Sequence, residues 1–291
     1  MKTIGFITLL VLTGLAAEAQ DDLLALVEDK NPPKEHVKNA FKSTRVIMGQ
    51  SMEFLAKGTL DVRILHRFGK INSGYENFFG LDQASMRLGF DYGITNSLTI
   101  GIGRSTYKKE LDGFVKFRPI WQSTGPGSIP FSVVVVGGMT VDGMPWADPT
   151  RTNFISSKMA YYGQVIIGRK FSEGFTFQLT PTILHRNLVP TEQDPNDIYA
   201  LGLGGRIKLS KRVSFNMDYF YVHNGLPSGY YFPFSVGFDI ETGGHVFQLN
   251  FSNAIGMNER AFLTETTNSW SNGDVLFGFN LSRVFTVSKR K

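Results

Sequence analysis

The sequence predicts an all-β protein, an antiparallel transmembrane β-barrel of about 12 strands preceded by a short N-terminal periplasmic or lumen segment. Three observations predict it. Apolar and polar side chains alternate with a period of two from residue 58 onward, the links between alternating stretches are by turns short and long, and aromatic residues gather at stretch ends. Period-two alternation makes a strand with one apolar and one polar face, and a bilayer calls for tilted strands of about 9–11 residues with an apolar lipid side. The last stretch shows this most clearly. Val275, Phe277, Phe279, Leu281, Phe285 and Val287 share one parity, while Gly278, Asn280, Ser282 and Thr286 occupy the other.

Taken in order, residues 1–19 read as a secretory signal peptide. Lys2 supplies the positive end, Ile4 to Leu15 the apolar stretch, and Ala17-Glu18-Ala19 a small-residue site with cleavage expected before Gln20. No Cys stands there to carry a lipid anchor. Residues 20–57 form an N-terminal periplasmic segment or a plug. Asp21 to Glu28 is a short amphipathic run, Asn31-Pro32-Pro33 breaks it, and Lys34 to Phe41 fits a helical turn or two. Ser43 to Leu55 fits a strand, a helix or a segment inside a lumen, and its apolar Met48, Met52, Phe54 and Leu55 lean toward docking.

Residues 58–291 are the barrel domain. Strands are expected near 59–69, 84–94, 97–105, 111–121, 130–141, 155–171, 175–187, 198–209, 213–223, 231–241, 245–253 and 274–287. Thr95-Asn96 is a hairpin link, whereas residues 70–83, 142–154, 188–197 and 254–273 are long loops. Short periplasmic turns and longer external loops are the rule for outer-membrane barrels, and an even count leaves both chain ends on the periplasmic side. Trp121, Tyr161, Tyr162, Phe171, Phe175, Tyr219, Tyr221, Tyr230, Tyr231 and Phe232 fall near strand ends, as expected of headgroup girdles. The expected location is the outer membrane of a Gram-negative cell, as a monomer.

Composition narrows the chemistry. With no Cys, the chain has neither disulfides nor a thiolate metal site nor a Cys nucleophile. A net charge of +5 is too weak an excess to argue for nucleic acid, while 31 Gly and 25 Phe suit a barrel in which alternate residues meet lipid. No stretch after the signal is apolar enough for a transmembrane helix.

The motifs His66-Arg67-Phe68-Gly69, Gly80-Leu81-Asp82-Gln83-Ala84, Asp91-Tyr92-Gly93-Ile94-Thr95 and Phe277-Gly278-Phe279-Asn280-Leu281-Ser282-Arg283-Val284-Phe285 together resemble an uncharacterised family of exported outer-membrane β-barrel proteins, a domain of unknown function. The resemblance runs from about Thr44 to Val287 and implies a single barrel. It brings no catalytic residue or ligand. The chain departs from general barrel practice at its end, where Thr286 to Lys291 follow Phe285 although the insertion machinery typically reads a terminal aromatic.

Inward parity is rich in charge: Asp61, Arg63, Arg67, Arg87, Asp91, Lys116, Arg118, Lys170, Arg206, Lys208, Asp218 and Asp239 are the lumen-lining candidates. Cationic rings in a water-filled channel attract anions; charges paired across strands instead rigidify a closed lumen. Both readings stand. Trp146, Phe262 and Trp270 are candidates for binding through the external loops, although the same loops are equally suited to folding back over the mouth. His36, His66, His185, His223 and His245 form no closely spaced Ser/His pair and no metal spacing, so a lipid hydrolase is the minority reading and neither cofactor nor metal is expected. The leading expectation is a pore or transporter for small solutes, gated by its N-terminal segment; the alternative is a non-conducting scaffold that binds an envelope or surface partner. Membrane lipid, lipopolysaccharide and the barrel-insertion machinery are the other expected partners.

Overall fold

The computed structural model describes residues 33–223 and 226–288; the expected signal peptide and residues 20–32 lie outside the described residues. Twelve antiparallel strands close into one barrel in chain order. They are β1 (Thr59–Lys70), β2 (Ala84–Thr95), β3 (Leu98–Ser105), β4 (Leu111–Ile120), β5 (Ser132–Val141), β6 (Met159–Lys170), β7 (Phe175–Arg186), β8 (Asp197–Lys208), β9 (Val213–Val222), β10 (Phe234–Thr242), β11 (His245–Ser252) and β12 (Leu276–Thr286).

Alternation decides which way each side chain points. In β1, Thr59, Asp61, Arg63, Leu65 and Arg67 are buried inward, while Leu60, Val62, Ile64, His66 and Phe68 face out. The result inverts a soluble protein. Ile102, Val115 and Ile183 are 64%, 51% and 46% exposed, whereas Arg67, Arg87 and Lys116 are fully buried. An apolar belt around a polar interior is stable where hydrocarbon surrounds it, and closure leaves no strand edge unpaired. Among the described residues no helix is long and apolar enough to cross a membrane. The strands do the crossing.

The last strand closes the barrel on the first, with Phe279 opposite His66, Leu281 opposite Ile64 and Phe285 opposite Leu60. Stacking of His66 on Phe279, centroids 4.9 Å apart, reinforces this seam on the lipid side. A register shift lies between Leu276 and Gly278, upstream of Arg283. Arg283 therefore keeps the lipid parity, its guanidinium 4.7 Å from the Phe285 ring near the C-terminal end of β12.

Four sequence expectations change. Lys34 to Phe41 forms no helical turn, because Glu35–His36 is extended and pairs with Ser123–Thr124. Tyr162 leaves the girdle: neighbours on a strand face opposite ways, so Tyr161 is outward and Tyr162 is buried inward. Strand β10 begins at Phe234 rather than 231 because Pro233 has no N–H for the ladder and the amide of Tyr231 donates to Thr266 O. Residues Ile155–Lys158 form a 3-10 turn, so β6 begins at Met159. The charge list also grows, because Asp112, Arg186 and Glu241 share the inward parity of β4, β7 and β10.

Candidate functional site

The lumen is filled from both ends. Residues 40–55 lie inside the barrel, where Val46, Ile47, Met48 and Met52 are buried among Phe114 and Phe220 of the wall. The segment turns back tightly, with Val46 N donating to Gly49 O at 2.9 Å and Ser51 N to Thr44 O at 3.0 Å. At its base Glu53 accepts from Ala40 N at 2.8 Å and from Phe41 N at 3.3 Å. Outside the lumen, Glu35–His36 pairs with Ser123–Thr124, in the connection between β4 and β5.

The wall holds this hairpin by its main chain. One oxygen of Asp218 accepts from Ile47 N, Met48 N and Gly49 N at 3.2, 2.9 and 3.0 Å. These three amides have no partner within the hairpin, so a single carboxylate satisfies the whole tip. Wall cations take the carbonyls. Lys116 donates to Thr44 O at 3.2 Å and Glu53 O at 2.8 Å, Arg206 to Ala40 O at 2.8 Å, and Arg118 to Met52 O. Gln178 meets Gln50 O and Met52 N at 2.7 and 2.9 Å, and Gln248 donates to Val46 O at 2.7 Å. Gly49 is required at the tip because a Cβ there would lie 2.6 Å from the Phe220 ring.

From the outside, the loop after β11 folds into the mouth and forms α1 (Glu259–Thr264), capped by Asn258, whose side chain accepts from Ala261 N. Phe262 is fully buried, its ring 4.9 Å from Phe220. This overturns its expected role on an external binding surface: Ala261, Phe262 and Leu263 are adjacent apolar residues, and water at the mouth drives them inward. Trp270 is also anchored, its indole N–H donating to Phe234 O at 2.9 Å. Trp146 remains at the external rim, with the Lys158 ammonium 4.0 Å above its ring.

Plug and loop meet in mid-lumen. Arg45 of the hairpin pairs with Glu259 of α1 at 3.2 Å, both essentially without solvent, and Arg45 also donates to Met48 O at 2.9 Å. Removing one partner strands a buried charge at a cost of about 3–5 kcal/mol. Glu259→Ala should therefore lower the temperature at which the folded band is lost on SDS gels, and Arg45→Glu with Glu259→Arg should recover part of that loss. Equal melting of the single and double variants would show that the pair couples nothing.

The sequence-predicted charges divide into groups. Arg87 is bidentate to Asp112, with Nε to Oδ1 at 2.8 Å, a partner that the sequence reading passes over although Asp112 shares inward parity with Lys116 and Arg118. Arg63 faces Asp61 at 3.6 Å and donates to Thr44 Oγ1, which in turn donates to Asp91 at 3.4 Å. Asp239 accepts from Gln248 at 2.6 Å. Arg67 donates to Asn250 Oδ1 and has no carboxylate within ion-pair distance among the described residues. Lys208 and Lys170 sit at the mouth through which the N-terminal segment enters, where Lys208 lines a cavity of about 410 Å³ with Lys211 and Glu241. At the outer mouth Arg260 binds Glu110, Glu265 at 2.7 Å and Asp142 at 3.6 Å, fastening α1 to neighbouring loops. Burial pushes the Glu110 carboxyl above its ordinary value despite Arg260, and burial together with the Glu265 carboxylate raises the Tyr107 phenol. His185 and Asp197 contact each other at 2.7 Å on the exposed outer rim. No group of metal-binding side chains occurs among the described residues.

Solved structures of similar outline include the NanC porin (10% identity, TM-score 0.48, covering 78% of this chain and 98% of that one). The COG4313 outer membrane channel from Pseudomonas putida F1 is 12% identical with a TM-score of 0.46, covering 80% of this chain and 97% of that one. The Acinetobacter baumannii outer membrane protein Omp33 is 8% identical with a TM-score of 0.44, covering 79% of this chain and 99% of that one. Among curated proteins no relative matches. Residues 41–285 match the family described as Membrane bound beta barrel domain (DUF5777), a span that runs from the hairpin inside the lumen into the last strand, and the chain belongs to that family.

Proposed function

We propose that this protein is an outer-membrane channel for small solutes, held shut at rest by residues 40–55 and gated by their withdrawal. The observation that carries the reading is the way the hairpin is held: Asp218, Gln178, Gln248, Lys116, Arg118 and Arg206 grip its main chain from wall strands all around the lumen. A polar wall of this kind is one that water can occupy when the hairpin leaves. A permanently solid core gains more from apolar filling, since buried charges carry a desolvation cost.

Charge suggests the preference of the vacated pore. Along the inward parity nine cations, including Arg186, stand against six carboxylates, including Asp112 and Glu241. Arg87 and Asp112 neutralise each other, whereas Lys116, Arg118 and Arg206 lose their carbonyl partners when the plug withdraws. The open pore is expected to prefer anions. Measured in a plug-deleted barrel across a salt gradient, Arg118→Glu with Arg206→Glu should move the reversal potential toward cations. An unchanged potential would rule out these residues as the selectivity ring, and absence of conductance in every plug-deleted barrel would favour the non-conducting scaffold.

A further inference from the structure

The outer rim carries a second site. Between the loop after β5 and the ends of β6 and β7 lies a cavity of about 200 Å³, lined by Trp146, Met144 and Leu188 together with Lys158, Arg186 and Arg260. That volume suits a ligand smaller than a drug molecule. Its three cations are not equivalent. Arg260 is committed to Glu110, Glu265 and Asp142. Arg186 donates to Pro195 O at 2.9 Å, its Nε is buried with no protein partner, and no carboxylate lies within ion-pair distance of it among the described residues. Lys158 donates to Met144 O and lies over the Trp146 ring, likewise without a carboxylate. Asp142, also on the wall, is occupied: it accepts from Met144 N at 2.8 Å and faces Arg260.

Two cations that make no ion pair among the described residues, beside an indole and two aliphatic side chains, make a recognisable combination. We infer that this cavity binds a small organic anion, its carboxylate placed between Arg186 and Lys158 and its ring or short apolar body against Trp146, Met144 and Leu188. Arg186 lies on the inward parity of β7, so the ligand would sit where the external surface turns into the lumen. The role of entry site rests on the channel reading above; the binding itself does not. A closed barrel can still bind.

The test is calorimetric titration of the mature protein in zwitterionic detergent with benzoate, D-glucuronate, inorganic phosphate and lipopolysaccharide in turn, with tryptophan emission followed in parallel. Saturable one-to-one binding of at least one organic acid, with a change in emission that Trp146→Leu removes, is expected. Arg186→Gln with Lys158→Gln, which removes both charged donors, should weaken binding by roughly tenfold or more. Arg186→Lys, which keeps the charge, should retain part of the affinity and controls for folding, as does an unchanged heat-shifted band on SDS gels. Undiminished affinity in the double variant, or binding of phosphate or lipopolysaccharide alone, would overturn the proposal, as would no binding at all. Binding without conductance in plug-deleted barrels would sink the channel reading and leave the site standing; conductance without binding would do the reverse.

Discussion

Deleting residues 20–57 should convert a barrel that opens only briefly into one that passes ions in discrete, sustained steps across a planar bilayer. The strands should survive the deletion, because the barrel closes through β12 on β1 and the hairpin contributes no strand to it. The wall then exchanges main-chain partners for water at Asp218, Lys116, Arg118 and Arg206, all of which are groups that hydrate well. The external loop still narrows the mouth through α1, with Phe262 against Phe220, so the first steps should be small and should grow when Glu259 is also replaced. A deleted barrel that inserts, keeps its heat-shifted band and still passes no current, with Glu259 intact or replaced, would contradict the channel reading.

The second large effect is expected at Asp218. Its carboxylate is the acceptor for three consecutive amides at the hairpin tip, and replacement by Leu leaves all three buried without a partner. An orphaned buried donor costs about 1–3 kcal/mol. Non-additivity keeps the total below the full sum, yet a loss of only ~3 kcal/mol multiplies the open-to-closed ratio by roughly two powers of ten. Asp218→Leu should therefore raise open probability in single-channel records by about that factor. Asp218→Asn, which retains one acceptor oxygen, should fall between. Gly49→Leu approaches the same tip from the other side, since its side chain would collide with Phe220. Concordant opening by Asp218→Leu and Gly49→Leu would tie the effect to the tip rather than to general loosening of the wall.

Much of this architecture is legible in the sequence because the barrel is built from local signals. A strand with lipid on one side and a lumen on the other must alternate, so Leu60 to Phe68 and Phe277 to Phe285 declare both their state and their orientation. The ends of strands are less visible: Pro233 and the Ile155–Lys158 turn shorten two of them through hydrogen bonds made by loop residues. The interior charges were readable by parity, and Asp112, Arg186 and Glu241 carried that same signal. What parity does not reveal is pairing, since the partners of Arg87 and Arg45 lie 25 and 214 residues away.

The plug was the least legible part. Residues 43–55 show no period because their shape is imposed by the wall: Asp218, Gln178 and Gln248 satisfy amides and carbonyls that a helix or strand would pair internally. Phe262 misled for a related reason. An apolar residue in a long external loop can mark a binding surface or a loop folded inward, and the choice depends on Phe220, which lies on a different strand. The Asn258 cap followed by Ala261, Phe262 and Leu263 was the available local sign of the inward-folded helix.

The absence of cysteine allows the hairpin to be locked without background. Met52 lies against Gly168 of β6, across the lumen from the strand that follows the plug, and a Cβ built on Gly168 would lie 3.3 Å from Met52 Cγ. A cysteine sulfur would occupy the place of that Cγ, within reach of a second cysteine on β6. The decisive measurement is the single-channel record of the Met52→Cys, Gly168→Cys protein before and after reductant. Fully cross-linked, it should stay silent at voltages that give the wild type transient openings, and reductant should restore those openings to the wild-type level, short of the sustained steps of the plug-deleted barrel. Openings that are the same with the bond intact and broken, or no openings in either state, would contradict a lumen gated by its own N-terminal hairpin.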